Sequence, residues 1–305
     1  MNTADIIKKR REELGLSQEE LAAKLGYKSR SSINKIELGL SDIPFSKIIL
    51  EYQEVLQDRL CDKYFELIDR RSKGEPVQYI MGSQEFMGLE FIVNENVLIP
   101  RQDTETMVED ALEIINAGSL RGEDMDVKRK EWDILDLCTG SGAIGVSLAR
   151  LANKVNVTCS DISEGAIKVA KENAQKHGLA KSMKFEQGDL FEPFNKHFHK
   201  QKFDMIISNP PYIKSSVIPT LQKEVCEHEP LSALDGGESG LDFYERIVSG
   251  VGSHLKKGGV LLMEIGNNQG EAVSGLLSRN GEFTSIRVLR DLAQRDRIVF
   301  AKKSK

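Results

Sequence analysis

Cysteine is scarce in this chain: there are four, Cys61, Cys138, Cys159 and Cys226, in 305 residues. No two form a Cys-x-x-Cys pair, and none lies near a histidine at zinc-ligand spacing. That excludes a zinc finger and a disulfide-stapled scaffold, and no metal is expected. Long apolar runs are missing too. None approaches the roughly 20 residues that cross a bilayer, and the opening stretch MNTADIIKKRREELG has no apolar signal core. No membrane partner is expected, and the cytoplasm is the default location. A basic excess is also lacking. With 42 Lys and Arg against 47 Asp and Glu, the net charge of -5 does not leave the footprint of a protein dominated by nucleic-acid binding, although one basic face is compatible with it. No internal repeat or long low-complexity tract is present.

The apolar share of 40% and charged share of 29% are those of an ordinary soluble globular protein. The length allows about two domains. Three regions differ in pattern, and we divide the chain at 1–58, 59–117 and 118–305. In the first, apolar residues such as Ile6, Leu14, Leu21, Leu25, Ile33, Ile36 and Ile48 recur at helical spacing in short pieces. Ser17 and Glu20 form the pattern of a capping box opening a helix over 18–25. Gly26 stops that helix, and Ser29 or Ser31 opens a second that runs to Gly39. Two short helices joined by a glycine-containing turn make a helix-turn-helix.

In the second region a helix is expected over 60–71, a hairpin or strand pair over 86–97 around Gly88, and an amphipathic helix following Thr104. Residues 118–130 are charged and contain glycine, so they are expected to form a surface loop. From 132 onward strand and helix alternate. Apolar runs at 134–138, 155–159, 205–208, 260–265 and 298–301 flank helical patterns at 143–151, 165–177, 243–255 and 269–277. Such alternation predicts an α/β fold with a parallel sheet covered on both faces. The pair 284–289 and 297–301 is separated by too short a gap for a crossover helix, so it is expected to be antiparallel.

The strand ends carry the chemistry. Asp136-Leu-Cys138-Thr139-Gly140-Ser141-Gly142-Ala follows one strand and opens a helix. Its glycines allow the backbone to approach a ligand closely. Gly140, Gly142 and Gly145 also satisfy the Gly-x-Gly-x-x-Gly spacing, so a dinucleotide dehydrogenase remains a rival at this step. Asp161, 19 residues past Gly142, can accept hydrogen bonds from both ribose hydroxyls, or merely cap the helix near Ser163. Asp189 could accept from an adenine amino group while Leu190 packs its ring; the alternative is a simple turn aspartate.

Asn209-Pro210-Pro211-Tyr212 follows the strand 203–208 directly. Two prolines at the end of a buried strand make a rigid extended loop. An amide nitrogen is a poor nucleophile because its lone pair is delocalised. Two acceptors, the Asn209 side-chain oxygen and the Pro210 carbonyl, can grip a planar NH2 and favour pyramidal character as it attacks a methyl group. In-line positioning adds to this, and Tyr212 can pack on the amide plane. The tetrapeptide therefore favours methyl transfer over hydride transfer.

Together these residues resemble the release factor glutamine methyltransferases, over about residues 60 to 302. Asn-Pro-Pro-Tyr alone is shared with enzymes that methylate adenine in DNA. More specific are Arg70-Arg71-x-x-Gly74-x-Pro76-x-x-Tyr79-Ile80-x-Gly82-x-x-Glu85-Phe86, Leu98-Ile99-Pro100-Arg101-x-x-Thr104-Glu105, Leu234-Asp-Gly-Gly-x-x-Gly-Leu241 and Glu264-Ile265-Gly266. The resemblance implies a Rossmann-like seven-stranded sheet, mostly parallel with one antiparallel strand, and S-adenosylmethionine as cofactor. It implies that residues 138–142, with Asp161, Leu190 and Asn209, contact the cofactor. Asn209, Pro210, Pro211 and Tyr212 are expected to hold the glutamine of the Gly-Gly-Gln loop in class I release factors. Cys138 stands where glycine is frequent and is expected to be unreactive. Arg101 and Glu105 either shape the substrate mouth or serve as capping and ion-pair residues.

The first 58 residues depart from that family, and its usual N-terminal helical domain is expected to be missing. Instead Gly15-Leu-Ser-Gln-Glu-Glu-Leu-Ala-x-Lys-Leu-Gly26 and Ser31-Ser-Ile-Asn-Lys-Ile-Glu37-x-Gly39 resemble the Cro/repressor helix-turn-helix family. That resemblance would direct Arg30, Ser31, Asn34 and Lys35 towards a DNA major groove. Residues 1–58 hold nine basic and ten acidic side chains, a poor balance for phosphate contacts, although Lys8 to Arg11 form a local basic patch. Two alternatives follow: a DNA adenine methyltransferase guided by this module, and a DNA-binding regulator that uses the methyltransferase fold to sense the cofactor.

Overall fold

The computed structural model describes residues 8–9, 11–12, 15–24, 30–37, 58–127, 129–195 and 201–304. The expected stops at Gly26 and Gly39, and the pattern over 38–57, lie outside these residues. The chain divides into two compact units, residues 1–73 and 74–305.

In the first unit, helix α1 spans Gln18–Lys24 and α2 spans Arg30–Glu37. The capping box forms as expected: Ser17 N donates to Glu20 Oε2 at 2.7 Å, and Glu20 N donates to Ser17 Oγ at 3.1 Å. Leu21, Ala22 and Ile33 are buried where α1 and α2 pack. Helix α3, Asp58–Ser72, ends with Arg70 and Arg71 in its last turn, where positive charge suits the helix dipole.

The second unit opens with the short helix α4, Val77–Met81, closed by Gly82 in the left-handed conformation at φ 75°. A hairpin turns at Gly88 as expected but covers 83–92 rather than 86–97: β1, Ser83–Phe86, pairs antiparallel with β2, Leu89–Ile92, about Met87 and Gly88. Helix α5 covers Gln102–Ala117. Thr104 does not precede it but lies buried in its first turn, because its hydroxyl is spent on Glu264. Residues 118–130 are not simply a surface loop either. Strands β3, Ser119–Leu120, and β4, Glu123–Asp124, form a small ribbon, and Leu120, Met125 and Val127 enter the main apolar core. Arg121 clamps this ribbon to α5 by two bonds to Asp110, at 2.9 and 2.8 Å.

Strands β5, Trp132–Leu137, β6, Val155–Asp161, β7, Lys184–Gln187, β8, Phe203–Ser208, β9, Leu255–Glu264, β10, Phe283–Arg290, and β11, Asp296–Lys303, form one sheet in the order β10-β11-β9-β8-β5-β6-β7. The neighbours from β7 to β9 are parallel, and β11 runs antiparallel to both β9 and β10. Central β8 is buried along its whole length, which explains its unbroken apolar reading. Helices α6, Ala143–Leu151, α7, Glu164–Lys176, α8, Lys223–Cys226, α9, Leu231–Leu234, α10, Asp242–His254, and α11, Gly270–Asn280, complete the unit. Two apolar clusters result. One is centred on Ile134, Met205 and Leu262, the other on Leu135, Ile206 and Leu261, so alternate residues of the same strands serve opposite faces.

The chain leaves β5 for β6 and β7 on one side, then returns to β8 on the other. The reversal opens a crevice at the carboxyl ends of β5 and β8. One buried side chain fastens the hairpin beside it. Asn173 of α7 accepts from Ile92 N at 2.7 Å, and its Nδ2 donates to Ile92 O at 3.0 Å and to Ser141 O at 2.9 Å.

Candidate active site

The crevice is an open cleft with about 1200 Å³ of free space, its mouth included, room enough for a nucleoside-sized ligand. Cys138, Thr139, Gly140 and Ser141 line it from the β5 loop, and Asp161 from the end of β6. Asp189 and Leu190 follow β7, Asn209 and Pro211 follow β8, and Arg101 stands at the mouth. Cys138 has φ 60°, the region that favours glycine, which accounts for the residue type usual there. Burial pushes its thiol well above the ordinary range, so it is a poor nucleophile.

Asp136 lies beneath the loop and has no exposed surface. Its Oδ2 accepts from Thr139 Oγ1 at 2.5 Å and from Gly145 N at 2.9 Å. Its task is to brace the loop from below rather than to meet a ligand. Burial pushes its carboxyl up to about 7. Gly142, at φ 79°, also stays out of the cleft lining; it gives its N–H to Thr139 O at 2.9 Å. Two amides at the start of α6 are thus consumed within the protein, one of them by an acid. That is a poor cradle for a pyrophosphate, which needs open N–H groups at a helix start, and it counts against the dinucleotide rival.

The site fits the adenosyl cofactor expected from the sequence. A Cβ on Gly140 would meet no protein atom within 4 Å, so the loop presents bare backbone to the cleft. Asp161 lines the cleft and does not itself cap the helix that follows. Oδ2 accepts from Gly140 N and Oδ1 from Ser163 N, each at 2.9 Å, which leaves lone pairs for two ribose hydroxyls. Burial raises its carboxyl above the ordinary range. The cap of α7 is Ser163, whose side chain accepts from Ala166 N. Ile162 was missed by the sequence reasoning: it is 59% exposed and lines the cleft beside Asp161. Its only signal is an isoleucine placed just after a strand-end acid. Asp189 is paired with Arg246 at 2.5 Å.

Asn209 is half-buried, with Pro210 and Pro211 buried behind it. Asn209 Nδ2 donates to Thr104 Oγ1 at 3.3 Å, and Thr104 donates to Glu264 Oε2 at 2.6 Å. Tyr212 OH donates to Glu264 Oε1 at 3.2 Å. The back of the tetrapeptide is held by the glycine segment that the sequence singled out. A Cβ on Gly236 would lie 2.7 Å from Tyr212 Cα, so only glycine permits that approach. Gln269 Nε2 donates to Tyr212 O and Gly240 O, both at 3.0 Å. Neither Pro210 nor Tyr212 lines the open cleft itself.

At the mouth, Arg101 pairs with Glu229 at 2.5 Å, and that glutamate side chain is only 1% exposed. Burial raises the Glu229 carboxyl. Glu229 is another residue the sequence reasoning missed, since nothing links positions 101 and 229 locally. Glu105 accepts from Met87 N at 2.6 Å, which ties the hairpin turn to α5 outside the cleft. In the first unit Arg30, Ser31, Asn34 and Lys35 are all exposed on α2. Among the described residues, no helix is long and apolar enough to cross a membrane, and no cluster of side chains is set to hold a metal.

A family model described as a methyltransferase domain matches residues 128–288. A helix-turn-helix model matches residues 7–50, and a model described as the PrmC N-terminal domain matches residues 38–82. The last match corrects the expectation that this family's N-terminal domain is missing and that the resemblance begins only near residue 60. A release factor glutamine methyltransferase of Clostridium acetobutylicum is 44% identical over 252 residues, which is 82% of each chain. Those of Geobacter sulfurreducens and Bacillus subtilis are 45% identical over 215 residues and 38% over 256. The alignments cover 70% of this chain and 69% of the Geobacter protein, and 84% of this chain and 85% of the Bacillus protein. A crystal structure of a methyltransferase from Pyrococcus furiosus shares the fold, with TM-score 0.51 and 13% identity over 78% of this chain and 99% of that one. On this evidence the chain belongs to the release factor glutamine methyltransferase family.

Proposed function

We propose that this protein transfers a methyl group from S-adenosylmethionine to the side-chain amide nitrogen of the glutamine in the Gly-Gly-Gln loop of class I peptide chain release factors. When bound, the cofactor supplies an electrophilic methyl group on a sulfonium centre. Asp161 and the bare backbone at Gly140 hold its nucleoside, while Ile162 and Leu190 cover the base. Asn209 Oδ1 and the Pro210 carbonyl accept the two N–H bonds of the substrate amide, which turns its nitrogen towards the methyl carbon. Tyr212, fixed by Glu264, borders the amide plane. No side chain has to act as a strong base; the acceptors stabilise positive charge as it develops on nitrogen, the group that gives up the methyl would leave as a neutral thioether, and the extra proton on the amide passes to water. Arg101, held by Glu229, borders the path by which the loop enters.

The observation that carries this reading is Asn209-Pro-Pro-Tyr212 at the end of β8, next to a cofactor loop at the end of β5, in a chain of this family. Nothing favours the DNA adenine alternative, because the family match extends through residues 38–82, ahead of the methyltransferase domain. The test is incubation of the full chain with labelled cofactor and either purified release factor or duplex DNA. Label should enter the release factor at one glutamine. Label found in DNA alone would overturn the proposal.

A further inference from the structure

Thr104 has no task in the transfer so far, and Glu264 has only the bond that fixes Tyr212. They meet beneath the tetrapeptide. Thr104 and Glu264 are 160 positions apart, yet their side chains are 2.6 Å from each other, and both are buried. Each Glu264 oxygen receives one hydroxyl, Thr104 on Oε2 and Tyr212 on Oε1. Burial raises this carboxyl above the ordinary range, while the bonds from Thr104 and Tyr212 and the charge of Arg297 oppose the rise and favour the carboxylate.

We propose, resting on the reading of Asn209 as the grip for the substrate amide, that Thr104 and Glu264 are positioning residues that decide which end of the Asn209 carboxamide faces the substrate. A hydroxyl has a single proton. While Glu264 is a carboxylate it can only accept, so the Thr104 proton is committed to it. The Thr104 oxygen can then only accept from Asn209, which must present its NH2 group at the observed 3.3 Å. The Asn209 oxygen is thereby turned to the cleft, where the substrate amide needs an acceptor. Were the Thr104 proton released, it would attract the Asn209 oxygen. The carboxamide would rotate, and an NH2 group would face the substrate NH2, donor against donor.

The variants follow from this logic. Thr104→Val keeps the shape and removes the hydroxyl. Glu264→Leu removes the acceptor altogether, which frees the Thr104 proton for Asn209. Both should lower kcat at least about tenfold, the scale on which a misdirected polar group acts in a transition state. Cofactor affinity and KM for release factor should stay within about threefold of wild type. Thr104→Ser, which restores the hydroxyl, should recover at least about a third of wild-type kcat. A merely structural role would instead lower the melting temperature and cofactor affinity together. Wild-type kcat in Thr104→Val overturns the proposal. A neutron structure of the wild-type chain gives a readout independent of turnover and of how any variant folds. Deuterons on the Asn209 nitrogen pointing at Thr104 support the proposal, and deuterons pointing into the cleft overturn it. A wild type that transfers no methyl group refutes the function above, while the neutron map still decides the orientation.

Discussion

Gly145 offers a sharp test of how the cofactor loop is built. It lies within α6 with ordinary helical backbone, so helix preference alone says that Gly145→Ala should stabilise by about 1 kcal/mol. Packing says the opposite. The added carbon would stand 2.5 Å from Cys159 Sγ and 2.9 Å from Asp136 Oδ2, both far inside contact distance. Neither neighbour can easily yield. Cys159 and Asp136 are fully buried, and any retreat of Asp136 strains its bonds to Thr139 and Gly145. Overpacking costs about 1–3 kcal/mol, and a weakened buried hydrogen bond about 1 kcal/mol more. The net expectation is a loss of about 1–3 kcal/mol, or a fall of roughly 3–9 °C in Tm for a unit of this size. Gly275→Ala on α11 is the control. Its new carbon meets only the tip of Arg279, at 3.3 Å, so it should be neutral or slightly stabilising. Urea unfolding of Gly145→Ala in wild-type and Cys159→Ala backgrounds would show the cause. Removing the sulfur should recover about 1 kcal/mol as a coupling term. A Gly145→Ala protein as stable as wild type, or strictly additive effects, would refute the reasoning.

Three further outcomes are expected. Asp161→Ala should weaken cofactor binding by about 10- to 100-fold, from the loss of charge-assisted bonds, with much less change in kcat at saturation; unchanged affinity by calorimetry would contradict its role. Asn209→Ala should lower kcat by about 100-fold or more, and equal turnover in steady-state assays would count against the grip. Asp136 binds its proton more tightly in the folded state, with its carboxyl near 7. Wild-type stability should therefore fall as pH rises from about 4 to about 7, by a few kcal/mol relative to Asp136→Asn. Urea midpoints of the two proteins at several pH values check this, and parallel pH profiles would sink it.

Apart from Lys184–Gln187, which holds a single apolar residue, the strands of the large sheet were legible because they are largely apolar runs bounded by a polar or glycine-bearing turn, and most ligand-facing residues follow those runs directly. Asp161 and Asn209 could be placed on that ground alone. What could not be read are contacts between distant segments. Thr104 looks like a helix-opening residue in its own stretch, and only the position of β9 reveals its partner Glu264. Arg101 and Glu229 are hidden in the same way. Residues 118–130 read as a loop because Leu120, Met125 and Val127 follow neither the helical nor the strand period. The helix-turn-helix and PrmC N-terminal matches overlap at residues 38–50, so a single helical pattern there satisfied the first and concealed the second.

Asn173 joins two parts that the chain keeps far apart. By satisfying both backbone groups of Ile92 and the carbonyl of Ser141, one side chain acts as a rivet through hairpin and nucleoside loop alike. Exchange of the hairpin between relatives must therefore carry position 173 along with it. A chimera that keeps the hairpin but loses this asparagine would loosen the hairpin and the loop after β5 together.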